Sequence, residues 1–130
     1  MIYRPPKASA SDFKKVLDLL QVRMDEVTED KRSPDIYILG DFNLPSIDWD
    51  FNRAMPGVTC ESPEVTALLL EFLNENFLTQ MVTKPTRENN VLDLILTNKP
   101  QDILNISVED TKLSEHVNTD LLRLCLDIIR

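Results

Sequence analysis

Two long stretches with helical spacing alternate with short runs of β-branched and aliphatic residues, and that alternation confines the chain to an α/β architecture. Phe13, Val16, Leu17, Leu20, Met24 and Val27 recur at helical offsets, so residues 12 to 29 are expected to form an amphipathic helix with Ser11 as its N-cap. Before it, Ile2-Tyr3-Arg4-Pro5-Pro6 reads as the end of an extended segment, because proline fixes φ and pushes its predecessor towards β or polyproline conformation. After Pro34, Ile36-Tyr37-Ile38-Leu39 has the length and composition of a strand buried on both faces, which Gly40 ends. Residues 41 to 61 hold two prolines, a glycine and no sustained period, so a loop is expected there, and a loop of that length inside a domain is usually functional. Ser62-Pro63-Glu64 opens a second helix, with Ser as N-cap, Pro at the first helical position and an acid in the first turn. Its apolar face is Val65, Leu68, Leu69, Phe72, Leu73 and Phe77. Residues 79 to 83 and 91 to 97 read as strands around a polar, proline-containing loop. Residues 103 to 108 read as a weaker extended segment, 109 to 119 as a loop, and 120 to 128 as a final strand whose leucines would also suit a helix.

No linker or repeat divides the chain, and 130 residues make one domain at most, spanning 1 to 130. With 42% hydrophobic and 28% charged residues it has ordinary globular usage and lacks the signature of disorder. The net charge of −8 argues against a surface that clamps nucleic acid through its own field. A site for Mg²⁺ would nevertheless need clustered carboxylates, and the metal would then present the positive charge to a phosphate. Cys60 and Cys125 fall in no zinc-ligand spacing, and the expectation is two thiols rather than a disulfide. No secretory leader and no apolar run of the ~20 residues a membrane span requires is present, so an intracellular protein, nuclear or cytoplasmic, is expected.

Four places carry candidate chemistry. Gly40-Asp41-Phe42-Asn43 follows an apolar strand and presents a carboxylate and an amide at its carboxyl end, where α/β sheets build sites; the plainer alternative is an Asx turn that ends the strand. The carboxylate could take a proton from water or hold a metal, and the amide could donate to a phosphate oxygen. Asp93 interrupts Val91-Leu92-Asp93-Leu94-Ile95-Leu96, and a carboxylate in a buried strand is unfavourable unless something pairs with it; an outward-facing position on a one-sided strand is the alternative. His116 is the single histidine, so any imidazole step must use it, while without further context it is a surface residue beside Glu115. Tyr3 closes the set.

In chain order, Tyr3-Arg4-Pro5, Gly40-Asp41-Phe42-Asn43, Leu92-Asp93-Leu94-Ile95-Leu96 and Ser114-Glu115-His116 resemble the Tyr-x-Pro, Gly-Asp-x-Asn, Asp-Tyr-Ile-like and Ser-Asp-His motifs of the endonuclease/exonuclease/phosphatase superfamily. The longer stretches Gly-Asp-Phe-Asn-Leu-Pro-Ser-Ile-Asp-Trp and Lys-Pro-Thr-Arg-Glu-Asn-Asn-Val-Leu-Asp-Leu-Ile-Leu-Thr-Asn resemble the abasic-endonuclease-like domain of non-LTR (LINE-type) retrotransposons over nearly the whole chain. The resemblance implies the C-terminal half of a DNase I-like four-layer α/β/β/α sandwich, truncated here, from a nuclease that nicks target DNA and leaves a 3′ hydroxyl to prime reverse transcription. It implies that Asp41 orients or deprotonates the attacking water, Asn43 holds a phosphate oxygen and Tyr3 contacts the scissile phosphate. It further implies that His116 stabilises the charge developing on the phosphate, Asp93 holds that imidazole in its tautomer, and Glu115, with Asp41, stands at the metal. Mg²⁺ or Mn²⁺ is the implied cofactor, DNA the implied partner, and a reverse transcriptase is expected in the same polyprotein.

The family's N-terminal half, with an Asn and the principal metal-binding Glu, has no counterpart in this sequence, and Glu115 stands where the family has Asp. The extra methylene could move the carboxylate by ~1 Å, enough to cost about 10²-fold in rate. The alternative to an endonuclease is therefore a catalytically inactive remnant that acts at most as a binding or interaction module. Phosphatase or lipid-phosphoesterase chemistry ranks below both, because Ile47-Asp48-Trp49 and the Thr-Arg-Glu-Asn-Asn stretch resemble the retrotransposon branch.

Overall fold

Ser9, and not Ser11, opens the first helix. In the computed structural model, which describes residues 2–30, 33–56, 63–112 and 120–128 and gives the backbone alone at 104, 105, 107–112 and 120–128, helix α1 runs Ala10–Asp30. The Ser9 hydroxyl accepts the Asp12 N–H at 3.1 Å and the Ser9 carbonyl accepts the Phe13 N–H at 3.0 Å, which is N-cap geometry. Asp12, three residues after the cap, adds the acid that the positive end of a helix favours. Phe13 and Leu17 are buried, Leu20 and Met24 are half-buried, and Val16 and Val27, expected on the same face, are exposed at its margins.

Strand β1 (Ile2–Tyr3) lies parallel to β2 (Tyr37–Asp41), and α1 is the crossover between them, as parallel pairing requires. Strand β6 (Asp93–Thr97) pairs antiparallel with β2 on one side, and on the other with the short β5 (Thr79–Gln80), giving the sheet order β1-β2-β6-β5. Gly40 therefore does not end its strand but sits inside it, opposite Ile2 and Leu94. Strand β2 alternates buried and half-buried residues, so it is covered fully on one face only, where both faces were expected to be buried. Only 79–80 and 93–97 of the two expected strands 79 to 83 and 91 to 97 are in the sheet.

Helix α2 (Pro63–Glu75) lies against α1, and both cover one face of the sheet. Ile38, Leu94 and Leu96 of the strands meet Phe13, Leu17, Val65, Leu69, Phe72 and Leu73 of the helices in one core, each fully buried aliphatic or aromatic side chain contributing about 1.5–3 kcal/mol. The expected N-cap of α2, Ser62, lies outside the described residues.

Phe77 was expected on the apolar face of α2 and is instead 86% exposed, with φ at 54°. The reason is the helix terminus. The Leu78 N–H donates to the Leu73 carbonyl at 2.9 Å and the Phe77 N–H to the Asn74 carbonyl at 3.4 Å, the two bonds of a Schellman ending, which needs a left-handed residue at Phe77. Leu73 and Leu78, both buried, supply the apolar contact that goes with it. A bulky side chain in that conformation is strained, so Phe77→Gly is expected to stabilise the protein by about 1 kcal/mol. A thermal melt of Phe77→Gly no higher than the native one would contradict this account of the helix end.

Within the expected loop 41 to 61, a small hairpin pairs β3 (Ile47–Asp48) with β4 (Arg53–Ala54), and buried Ile47 pins it to the core. A 3-10 turn (Pro100–Asp102) leads into β7 (Ile103–Lys112), which is longer than the expected 103 to 108 and takes in part of the expected loop 109 to 119. It pairs antiparallel with β8 (Asp120–Ile128), so the leucine-rich C-terminal run is a strand. The helices and mixed strand pairings make this an α/β chain.

Candidate active site

Strand register puts three of the expected residues side by side. Tyr3 is the parallel partner of Asp41, and Asp41 is the antiparallel partner of Asp93, so the three side chains stand abreast on the sheet face opposite the helices. The Phe42 N–H to Leu92 carbonyl bond at 2.9 Å makes the neighbouring Asp41 and Asp93 a non-hydrogen-bonded pair, the kind whose Cα atoms approach to about 4.5 Å. Tyr3 is 66% exposed, whereas both aspartates are half-buried.

Asn43 joins this row by a turn. Its backbone is left-handed at φ 49°, its N–H donates to Asp41 Oδ1 at 3.0 Å, and its side-chain Nδ2 donates to the Arg4 carbonyl at 2.6 Å. The Asx turn and the site are thus one structure rather than two alternatives. Arg4 fastens it underneath: its N–H donates to the Asp41 carbonyl at 2.8 Å, and its buried guanidinium donates to the carbonyls of Asn43 at 3.3 Å and Ala8 at 3.0 Å while lying over the Phe13 ring. One side chain thereby ties the end of β1, the turn after β2 and the approach to α1.

Asp93 is held from the other side by Thr86, which is fully buried and accepts the N–H groups of Leu92 at 3.0 Å and Asp93 at 3.1 Å on its Oγ1. Burial pushes the Asp93 carboxyl above its ordinary value, the Asp41 charge pushes it further, and the Thr86 hydrogen bond and the Arg87 charge pull the other way. Arg87 completes the set: its Nη2 lies 3.3 Å from Asp41 Oδ2 and its Nη1 3.5 Å from Asn43 Oδ1. It stands on a tight hairpin, in which Arg87 and Asn90 exchange N–H to carbonyl bonds at 3.1 and 2.9 Å around Glu88, whose φ is 54°.

The four described residues expected at the site, Tyr3, Asp41, Asn43 and Asp93, therefore converge. Glu115 and His116 fall within 113–119, outside the described residues, so the expected contact of Asp93 with the imidazole and the expected Glu115 metal ligand have no described geometry. Arg4, Thr86 and Arg87 were not expected as site residues. For Arg87 a signal existed: a cation in a turn-forming Asn-Asn segment just ahead of an intrusive strand aspartate. For Thr86 none did, because its role is a pair of hydrogen bonds to strand amides.

Among the described residues no group of three or more His, Cys, Asp or Glu is arranged to hold a metal. Two carboxylates abreast are still the donor chemistry Mg²⁺ takes, since it binds through one or two carboxylates and leaves the remaining positions to water and phosphate. Among the described residues, no helix is long and apolar enough to cross a membrane.

No curated protein and no solved structure matches the chain. A family model described as endonuclease-reverse transcriptase matches residues 1–119, a span that takes in every residue of the row above and also Glu115 and His116. The chain belongs to that endonuclease-reverse transcriptase family, one of the endonuclease/exonuclease/phosphatase-like families, and its function is of the nuclease type.

Proposed function

We propose that this chain supplies the C-terminal half of the active site of a metal-dependent DNA endonuclease, of the abasic-endonuclease-like kind found in non-LTR retrotransposons. The observation that carries the reading is the row of Tyr3, Asp41 and Asp93 on three neighbouring strands, with Asn43 one turn beyond. The α/β layer would be half of a four-layer sandwich, DNA the substrate, and a reverse transcriptase a partner within the same polyprotein, in the nucleus or the cytoplasm.

In this mechanism Asp41 receives the proton of the attacking water, whose oxygen bonds to phosphorus while the bond to the 3′ oxygen breaks and that oxygen takes a proton from solvent to become the 3′ hydroxyl. Tyr3, at the exposed end of the row, contacts the phosphate, and Asn43 donates its amide to a phosphate oxygen. Asp93 orients His116, which offsets the charge that builds on the phosphate oxygens. Mg²⁺ or Mn²⁺, held by Asp41 and Glu115, would supply positive charge to the same oxygens. Each role asks for positioning and charge neutralisation, and a row of fixed strand residues is suited to both.

The test is plasmid nicking by the chain joined to the N-terminal half of another family member, with Mg²⁺ present. Nicking that EDTA abolishes and Asp41→Ala reduces by about 10²–10⁴-fold is expected. Nicking that survives Asp41→Ala, or its absence in a folded joined protein, rejects the reading. The net charge of −8 favours the second reading, an inactive remnant that binds a partner, and the latter outcome would select it.

A further inference from the structure

Among the described site residues, Arg87 makes contacts at odds with the chemistry. Its guanidinium lies against Asp41 Oδ2 at 3.3 Å, the carboxylate that must be free to meet water, and it also reaches Asn43 Oδ1 at 3.5 Å. Both contacts are long for a charge-assisted hydrogen bond, which ordinarily closes to about 2.7–2.9 Å. The Arg87 side chain is 50% exposed against 16% for Asp41, so the guanidinium end of the pair faces water and is free to turn outward from the carboxylate.

The root of Arg87, by contrast, is fixed. The preceding residue, Thr86, is fully buried and bonded to the strand at Leu92 and Asp93, and the following turn is closed by the paired Arg87 and Asn90 amides. A long, half-exposed cation on a rigid base sweeps a small volume, and that volume lies over the Tyr3, Asp41 and Asp93 row. Arg4, whose N–H bonds the Asp41 carbonyl, keeps its guanidinium buried on backbone carbonyls.

A phosphodiester arriving over two carboxylates is repelled unless a cation meets it. A planar guanidinium with five donors matches the oxygens of a phosphate far better than the single 3.3 Å contact it now makes with Asp41. We propose that Arg87 is the residue that receives the substrate's phosphodiester: its guanidinium leaves Asp41 for the non-bridging phosphate oxygens, and the same motion uncovers the carboxylate. Arg87 is thus both a latch on the empty site and a phosphate contact in the occupied one. This rests on the endonuclease reading and adds to it the group that brings the substrate in.

The experiment measures binding of the full chain to a short DNA duplex in EDTA, so that no cleavage intervenes, over a range of salt concentrations. Arg87→Gln is expected to weaken binding by about 10- to 100-fold and to lower the slope of log affinity against log salt by about one. Arg87→Lys is expected to restore the slope but not the full affinity, since it returns the charge without the fork. The melting temperature of Arg87→Gln should stay near the native value, which separates lost recognition from lost folding. An affinity and salt slope indifferent to Arg87→Gln, or no duplex binding by the native chain, overturns the proposal. Nicking by a joined protein whose DNA affinity ignores Arg87 would sink this inference and leave the endonuclease reading standing; Arg87-dependent binding without nicking would do the reverse.

Discussion

Replacing Gly40 by alanine is expected to detach the first strand and lower the melting temperature by about 10 °C or more, the equivalent of roughly 3 kcal/mol for a chain of this size. A Cβ at this position would stand 2.0 Å from the Ile2 carbonyl oxygen, 2.7 Å from its carbon and 2.8 Å from the Ile2 nitrogen. All three are backbone atoms, so no rotamer relieves the clash. The strand itself must move. With it would go the pairing of Tyr3 with Asp41, the Arg4 N–H bond to the Asp41 carbonyl and the Arg4 guanidinium beneath the turn. Circular dichroism melts of the two proteins decide the matter. A variant melting within about 2 °C of the native chain would show that β1 does not lie where the register puts it.

Asp93→Asn is expected to separate stability from activity. The folded protein holds a proton on Asp93 more tightly than the unfolded chain does, because burial and then the Asp41 charge raise its pKa above the usual 3.8. For a carboxyl shifted in that direction, the stabilising contribution is present below the unfolded value and is lost as pH rises through the folded one. At neutral pH the ionised side chain therefore works against the fold. An asparagine removes the charge and keeps an oxygen to accept from Thr86, so a rise of about 1–3 °C at pH 7 is expected, modest because the group is partly open to water, and none near pH 3. Activity should move the other way. If Asp93 positions His116, the joined protein should lose about 10²-fold or more in nicking rate, with the acid limb of its pH profile altered. Unchanged nicking in Asp93→Asn would remove Asp93 from the mechanism whatever the melts showed.

The large elements and the central row were legible in the sequence, and the reasons differ from element to element. Both helices carry their apolar faces over several turns, which leaves little ambiguity in period. Ser9 could have been preferred to Ser11, since an acid follows it by three residues and a lysine follows Ser11 at the same distance. Gly40 reads as a terminator because glycine is rare within strands; that it is required there depends on Ile2 passing alongside, a contact no local pattern encodes. The two-residue strands β3 and β4 are too short to show any alternation. Phe77 fits the helical period and leaves it only because the helix ends two residues earlier, at Glu75. At the site, Asp41 and Asp93 stood out as intrusions of charge beside apolar runs. Arg4 and Thr86 act through backbone groups, and sequence patterns are blind to such bonds.

The parallel pairing of β1 with β2 also bears on how the molecule acquires its chemistry. The row is assembled from the first strand, a strand that follows a full crossover helix, and a third some fifty residues further on, so it exists only once contacts of long sequence separation have closed. Amides at Asp41 and Asp93 should consequently exchange with solvent hydrogen by way of complete unfolding, not local fraying. Forms that have not closed those contacts would then lack the row itself, whatever helices they had already formed.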